Sequence, residues 1–431
     1  MKNCLAYRKR LLGAVLILLA QLAPGTAAFA QGRVTDDVSP NRSVRERIRP
    51  EFQALGIRTG AFTIFPESTS RLIYNDNILA TPDEFAETDV IADLSASLRA
   101  VSNWERHRLN ISGNVNRREY VDRASESTTD YGFTGEGQLN LGSQLLLLAN
   151  GSYRRETESR GESQTVFGAD SPVRFNDFRS EVAIQATQTR FRETFGLRFA
   201  NVDFEDVTFD DGEVNGDQDF RDRQAYGGFA RFDYRFRPLI GIFARGAYNV
   251  IEYDQIQPFA FAEQDSRNLQ VLGGVFFDVA RVARAEIGVG YSDQDYRSEA
   301  FADVSGLNID ANIEYFLSGL TTVTLRLSRD IQEAFVFGGG GLYENSITLQ
   351  VDHELLPSVI VGLEAGYSRN EFQNIDRNED IQRYRATVDY FFRRSVGVRL
   401  AFGRRSLSSN QQIGRADFDQ NVATLSLVLR M

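Results

Sequence analysis

The feature that most constrains this chain is a period-two alternation of apolar and polar residues that continues from about residue 58 to the end. In the window 307–317, one face of an extended strand carries Leu307, Ile309, Ala311, Ile313, Tyr315 and Leu317. The windows 90–100 and 107–115 repeat the pattern, and a helical period of 3.6 does not fit them. The alternation predicts an all-β fold. A water-soluble sandwich alternates as well, so a second observation must decide between architectures.

The lengths of the connecting segments separate a membrane barrel from a soluble sandwich. Short turns are expected near 102–105, 142–144, 190–192, 237–238, 280–283, 318–319, 356–358 and 393–395. Longer polar links fall between them, near 77–88, 121–128, 157–174, 205–219, 254–266, 295–304, 331–343, 371–380 and 406–416. Bacterial outer-membrane barrels alternate tight periplasmic turns with longer extracellular loops in this way. We therefore predict a transmembrane antiparallel up-and-down β-barrel of about eighteen strands over residues 57–431, located in the cell outer membrane.

Aromatic residues concentrate near the predicted strand ends, where outer-membrane barrels carry girdles at the depth of the lipid headgroups. On the long-loop side these residues are Tyr120, Tyr131, Tyr153, Tyr253 and Tyr296. Near the short turns they are Trp104, Phe191, Tyr234, Phe236, Phe391 and Phe392. The expected surroundings are therefore outer-membrane lipid and lipopolysaccharide.

The N-terminus has the layout of a cleaved secretory signal peptide over residues 1–30. A basic start with Lys2, Arg8, Lys9 and Arg10 precedes an apolar run from Leu11 to Ala20, and Ala28 and Ala30 supply the small residues of a cleavage site. Residues 31–56 are charged and show no strand pattern. We expect them to form a periplasmic N-terminal extension, which is either dispensable or an arm that docks a partner.

Charge and cysteine content exclude several classes of protein. Loss of the leader removes four positive charges and takes the formal net charge from −11 to about −15, which argues against a nucleic acid partner. Cys4, the single cysteine, lies in the leader, so the exported chain cannot be a disulfide scaffold.

The polar faces of the strands supply the candidate functional residues, because a barrel of about sixteen to eighteen strands encloses a water-filled channel. The predicted lumen-lining residues are Asp93, Arg99, Arg108, Asn110, Asn114, Asn116, Glu136, Gln138, Asn140, Asn308, Asp310, Asn312, Glu314, Arg326, Glu364, Arg383, Arg385 and Asp389. Such amide and mixed-charge side chains can hydrogen-bond sugar hydroxyls. A polar lining is also common to all porins, so the list does not separate a sugar polymer from other solutes.

No catalytic, cofactor or metal site is expected. Beyond the leader the chain has two histidines, His107 and His353, and both fall on the apolar face near short turns. Neither lies in the nucleophile–base arrangement that an enzyme requires. The acidic stretch Asp203–Asp219 could bind a divalent cation. Its spacing does not match a calcium-binding loop, so a solvated acidic loop is the favoured interpretation.

The first strands carry residues that resemble the Putative beta-barrel porin 2 family. These are Tyr74, Asp76 and Asn77 in the first loop, Asp89 at the start of the next strand, and Trp104 with His107 in the following turn. Members of this family often belong to exopolysaccharide export systems. The resemblance implies an outer-membrane pore for a polysaccharide, working with a periplasmic polysaccharide export protein that lacks its own membrane span.

Two other functions remain open from the residues alone. The first is a general diffusion porin for small solutes. It would favour one long loop folded inward as a constriction, and 157–174 is the link long enough for that. The second is a plugged structural or adhesive barrel whose acidic loops bind partners.

Overall fold

The computed structural model describes residues 41–162, 165–166, 168–209, 212, 214–258, 260–335, 340–410 and 417–431. The predicted signal peptide and residues 31–40 of the N-terminal extension lie outside these ranges. Among the described residues, no helix is long and apolar enough to cross a membrane.

Eighteen long antiparallel strands of 13 to 16 residues make up nearly all of the described fold. The first seven are β2 (Phe62–Asn75), β3 (Asp89–Ser102), β4 (Arg108–Tyr120), β5 (Thr128–Asn140), β6 (Leu145–Thr157), β7 (Arg174–Thr187) and β8 (Phe191–Phe204). The next six are β11 (Arg223–Arg237), β12 (Ile240–Tyr253), β13 (Ser266–Val279), β14 (Ala283–Tyr296), β15 (Val304–Ser318) and β16 (Thr321–Glu333). The last five are β17 (Gly341–Leu356), β18 (Val359–Phe372), β19 (Asn378–Arg393), β20 (Val396–Ser409) and β21 (Phe418–Arg430).

Three short strands lie outside the barrel count. Strand β1 (Ile57–Thr59) folds back on the start of β2. Strands β9 (Val207–Phe209) and β10 (Val214–Gly216) form a small hairpin in the link between β8 and β11. The hairpin gives local structure to a link that the sequence pattern left irregular.

The sheet closes because the first and last long strands pair with each other. Each strand pairs with its neighbours along the chain, and β2 pairs with β21 from Glu67 opposite Arg430 to Asn75 opposite Val422. Closure gives the backbone N–H and C=O groups of the edge strands partners, which is required in hydrocarbon where no water is available. The predicted eighteen-stranded up-and-down barrel is confirmed, with short turns and long links alternating as expected.

The strand register assigns the two faces of the sheet. Apolar side chains such as Ile111 on β4 and Leu197 on β8 are 47% and 72% exposed, and their strand parity places them on one continuous outer face. The opposite parity carries the polar residues. For example, Asn110 lies opposite Glu136, and its amide donates to that carboxylate at 3.0 Å. The apolar band therefore faces lipid, and the polar face encloses the lumen.

The predicted aromatic girdle on the long-loop side is only partly correct. Tyr131 and Tyr153 have outward parity, and their rings pack against each other with centroids 6.3 Å apart. Tyr120, Tyr253 and Tyr296 have inward parity, and Tyr253 and Tyr296 are buried below 10% exposure. The prediction failed for these three because proximity to a strand end does not determine which face a residue occupies; only the register does.

Candidate functional site

The inner wall of the barrel is the candidate site. All eighteen predicted lumen-lining residues have the strand parity of the inner face. Several are not free surface groups, because they are buried among neighbouring side chains. These are Asp93, Asn116, Asn308, Glu314 and Asp389, each 5% exposed or less. The wall is thus a network of paired polar groups with a smaller number of accessible side chains.

One side of the inner wall is rich in arginine. The inward positions of β19, β20, β2 and β4 include Arg383, Arg385, Arg399, Arg71 and Arg118. Strands β14 to β17, on the neighbouring part of the wall, carry Glu286, Asp310, Asp330, Glu344 and Asp352 at inward positions. Separate positive and negative areas of this kind act on any charged solute that enters the lumen.

Residues 41–53, which we call the N-terminal segment, lie inside the barrel at the short-turn end. Asn41 donates to the Asp278 carboxylate at the end of β13, and its side-chain oxygen accepts from the backbone N–H of Arg281. The backbone N–H of Val44, which is 1% exposed, donates to Thr322 Oγ1 at 3.0 Å. The segment therefore enters along the β13 to β16 side of this mouth.

Three arginines hold the N-terminal segment against carboxylates of the wall. Arg45 bridges Asp352 at 2.7 Å and Asp389 at 3.0 Å. Arg47 and Arg49 share the single carboxylate of Glu354, at 2.9 and 2.7 Å. Three wall carboxylates from β17 and β19 thus neutralise three positive charges of the segment.

Glu46 adds an ion pair in which the segment supplies the carboxylate and the wall supplies the arginine. Its carboxylate accepts from Arg284 on β14 at 3.0 and 2.8 Å and from the backbone N–H of Ser43 at 3.1 Å. Partial burial alone would raise the pKa of Glu46, but these hydrogen bonds to Ser43 and Arg284 outweigh it and lower the pKa from its ordinary value of 4.5. Docking therefore favours the ionised carboxylate.

The segment leaves the mouth on the opposite side from where it entered. Arg394 donates to the Pro50 carbonyl, Arg430 donates to the Phe52 carbonyl, and the Phe52 ring lies 6.0 Å from that of Phe391. The contacts run from β13 through β17 and β19 to β21, which is about half of the barrel circumference. The N-terminal segment narrows the short-turn mouth along this path.

The described residues of the link between β6 and β7 (158–162, 165–166 and 168–173), which we call the inward loop, narrow the opposite mouth. It leaves β6, yet Glu162 forms an ion pair with Arg405 on the inner face of β20 at 3.2 Å. Arg160 anchors the loop through a forked pair of hydrogen bonds to Glu126 and a third to the Ala169 carbonyl. A loop that connects β6 to β7 therefore reaches across the lumen to the wall near the barrel seam.

Further loops pack against the inward loop at the long-loop end. Arg221, 3% exposed, bridges Glu158 at 2.6 Å and stacks on the ring of Phe204 at 3.9 Å. Gln264, which has no exposed surface, donates to the carbonyls of Ala334 and Gly340. Arg221 also lies 5.5 Å from the ring of Phe335, so described residues of the links before β11, β13 and β17 pack together with the inward loop.

The residues that carried the family resemblance lie at two ends of the first strands. Asn77, 1% exposed, donates to the carbonyls of Thr81 and Asp419, and Asp76 accepts from the backbone and side chain of Asn421. These contacts join the first loop to β21 at the seam of the barrel. Their geometry is that of a fastening between the first and last strands.

The remaining motif residues also make structural contacts. Asp89 accepts from the backbone N–H groups of residues 121–123, which fixes the next long link. Tyr74 is exposed on the outer face. At the short-turn end, Trp104 meets Phe62 edge-to-face at 5.7 Å, and His107 Nδ1 accepts the Asn140 backbone N–H.

The acidic stretch brings three carboxylates together. Ligand atoms of Asp206, Asp217 and Asp219 lie within 4.8 Å of one another at the surface of the long-loop end. Partial burial and the neighbouring Asp217 and Asp206 raise the pKa of Asp219. The backbone N–H groups of Gln218 and Asp219 already donate to Asp206 and Asp217, so the cluster is stabilised from within the loop.

Sequence reasoning left open whether the N-terminal extension enters the lumen or reaches a partner. The available signal was four arginines and one glutamate within residues 42–49, a charge density that a lumen of opposite charges can hold. The pairing itself was not readable from the sequence.

Comparison with known proteins gives one family and many barrels of similar shape. The family described as Putative beta-barrel porin 2 matches residues 49–431. The chain is similar to the outer membrane protein OpdK from Pseudomonas aeruginosa, with 12% identity, 85% of this chain and 99% of that chain covered, and a TM-score of 0.44. For OpdL from the same organism the identity is 12%, the match covers 86% of this chain and 100% of that chain, and the TM-score is 0.45. For the siderophore receptor PirA, also from that organism, the identity is 8%, the match covers 85% of this chain and 80% of that chain, and the TM-score is 0.45. No curated protein sequence matches the chain.

Proposed function

Because the chain belongs to the Putative beta-barrel porin 2 family and forms a porin-like channel of the outer membrane, we propose that this channel is gated at its periplasmic mouth. The gate is the N-terminal segment. Docked, it narrows the lumen; detached, it leaves a passage lined by the polar inner face. The barrel provides a permanent water-filled channel through the lipid bilayer and catalyses no reaction.

The observation that carries the gate is the set of ion pairs between the segment and the wall. Arg45, Arg47 and Arg49 are held by carboxylates that would otherwise line the open mouth. Ion pairs that are partly exposed contribute little individually, so such contacts can be exchanged at low cost. The short turns of outer-membrane barrels face the periplasm, where a partner protein can reach the segment.

We propose an exopolysaccharide as the cargo, with a periplasmic polysaccharide export protein as the partner that displaces the segment. The amide and charged side chains of the wall can exchange hydrogen bonds with sugar hydroxyls. A gate that a periplasmic partner opens suits export, because the polymer and its export protein arrive from the same side. The family resemblance implies this cargo, and the gate is consistent with it.

The inward loop favours a second candidate, a diffusion porin for small solutes. Glu162 and Arg405 hold this loop across the lumen, where it would act as a size filter. A polymer channel requires the loop to swing aside, whereas a small-solute porin does not. The two candidates therefore differ in the solute that passes while the inward loop stays in place.

Gene deletion separates the two cargoes. For export, cells that lack the chain accumulate polysaccharide in the periplasm and lose it from the surface, and the intact chain restores both. For a diffusion porin, surface polysaccharide is unchanged, and liposomes that contain the purified chain swell in small sugars. Unchanged polysaccharide in the deletion strain would eliminate the export proposal.

A further inference from the structure

A row of directly opposed residues crosses the arginine-rich side of the inner wall. The register places Arg399 opposite Ser426, Ser426 opposite Arg71, and Arg71 opposite Asp93, which in turn lies opposite Arg118. Opposed side chains of neighbouring strands lie about 5 Å apart. The row is therefore one continuous surface that spans β20, β21, β2, β3 and β4.

The carboxylates of this row are already paired. Asp389, which lies opposite Arg399 on β19, accepts from Arg399 and is also bridged by Arg45 at 3.0 Å. Asp93 is bridged by Arg118 at 3.3 Å. Asp93 also lies directly opposite Arg71, so this part of the row has two arginines for one carboxylate and carries a net positive charge.

Two residues in the centre of the row carry buried hydrogen-bonding groups that find no partner among the described residues. Arg71 is 7% exposed, and its Nε and Nη2 have no hydrogen-bond acceptor in the described ranges. Ser426 is 2% exposed, and its Oγ has no hydrogen-bond partner in that part of the chain either. Buried polar groups in native proteins are nearly always hydrogen-bonded, so adjacent exceptions point to a missing ligand.

The electrostatics of this place select the ligand chemistry. Arg118, Arg385 and Arg399 lie close enough to Arg71 to add to the positive potential there. A carboxylate would accept from the forked guanidinium of Arg71 in a bidentate manner and from the Ser426 hydroxyl beside it. A neutral sugar could not neutralise the surplus charge.

We propose that Arg71 and Ser426, with Arg385 and Arg399 beside them, form a binding site for the carboxylate of an acidic sugar inside the barrel. This inference rests on the proposed function in one respect: the ligand reaches the site through the lumen. If the cargo is a polysaccharide, the site favours chains that contain uronic acid residues.

Isothermal titration calorimetry of the purified full chain in detergent tests the site without requiring an open channel. The probes are sodium galacturonate and, as the uncharged match, galactose. The same titrations are made on the Arg45→Ala, Arg47→Ala, Arg49→Ala variant, in which access from the short-turn mouth is wider. We expect galacturonate to bind and galactose not to bind.

Variants assign the binding to the row. Arg71→Gln and Ser426→Ala should each weaken galacturonate binding, by about tenfold or more for Arg71→Gln, since it removes a charge-assisted bidentate contact. Arg235→Gln removes the same charge from an inner-face position of β11, outside the row, and should leave binding unchanged. If Arg71→Gln fails to fold, as shown by loss of the heat-modifiable gel band, Arg399→Gln serves in its place.

The outcomes distinguish this site from the proposed gate. Absence of galacturonate binding in both chains, equal binding of galactose, or equal loss in Arg235→Gln would overturn the site. Binding that depends on Arg71 in a chain that never conducts would leave the site standing and refute the channel. Conductance in a chain that does not bind galacturonate would leave the channel standing and refute the site.

Discussion

Removal of the three arginines that hold the N-terminal segment should detach it from the short-turn mouth. The Arg45→Ala, Arg47→Ala, Arg49→Ala variant deletes every ion pair that these residues form with Asp352, Asp389 and Glu354. The barrel strands are unaltered, so assembly in the membrane should be unaffected.

The exposure of the ion pairs sets the size of the effect. The side chains of Arg45 and Arg47 are 33% and 32% exposed, and their carboxylate partners are about one-tenth exposed or less. We assign each arginine about 1 kcal/mol, between the value for a surface pair and that for a buried charged hydrogen bond. Together the three arginines contribute about 3 kcal/mol, so their removal should lower the ratio of docked to detached segment by roughly 150-fold.

Single-channel recording in planar bilayers measures this ratio. The intact chain should remain mostly at a low conductance level, and the triple variant should occupy a higher level for most of the record. Arg42→Ala is the matched control, because Arg42 is exposed in the same segment and has no partner among the ion pairs described. From the opposite side of the contact, Glu354→Gln should reproduce most of the effect of losing Arg47 and Arg49. Identical conductance in the intact chain and the triple variant, or an equal effect of Arg42→Ala, would refute the reasoning.

Three further predictions address other parts of the molecule. Ile111→Arg places a charge on the lipid face and should lower the free energy of unfolding, measured by urea titration of the barrel in vesicles, by about 2–4 kcal/mol. Asn110→Arg on the inner face should leave that free energy unchanged. Equal losses in the two variants would contradict the assignment of the faces. Docking lowers the pKa of Glu46 below 4.5, so the stability that this carboxylate gives the docked segment is present above that pH and is lost as the pH falls below it. Acidification should therefore raise the conductance of the intact chain. It should not do so in a Glu46→Gln variant. Glu162→Gln releases the inward loop from the far wall and should increase the largest polyethylene glycol that enters the channel of the triple arginine variant; an unchanged size limit would show that the loop does not restrict passage.

The fold was predictable from the sequence because the barrel repeats one local rule. Alternation of apolar and polar residues fixes which face of each strand meets lipid, and the alternation of link lengths fixes the antiparallel order. Residues such as Ile111 and Asn110 therefore fall on the faces that their spacing predicts. The rule gives no information where the strands end, which is why the inward orientation of Tyr253 and Tyr296 was missed.

The docking of the N-terminal segment was not predictable, because it depends on pairings between distant parts of the chain. Glu46 and Arg284 are separated by 238 positions, and Arg45 and Asp389 by 344. The N-terminal segment has no periodic pattern that would encode these partners. The same holds for Arg71, because its position beside Ser426, and opposite an Asp93 that Arg118 also bridges, follows only from the register of β2, β3 and β21 and the contacts between them.

A reversible cross-link gives the most direct test of the central claim that the N-terminal segment gates an outer-membrane channel. The backbone N–H of Val44 donates to Thr322 Oγ1 at 3.0 Å, so Val44→Cys and Thr322→Cys can be joined while the segment is docked. The pair is introduced into the triple arginine variant, and single-channel conductance is recorded before and after reduction. The gate predicts low conductance while the disulfide is intact and the high level once it is reduced. The same conductance in both states would contradict the account.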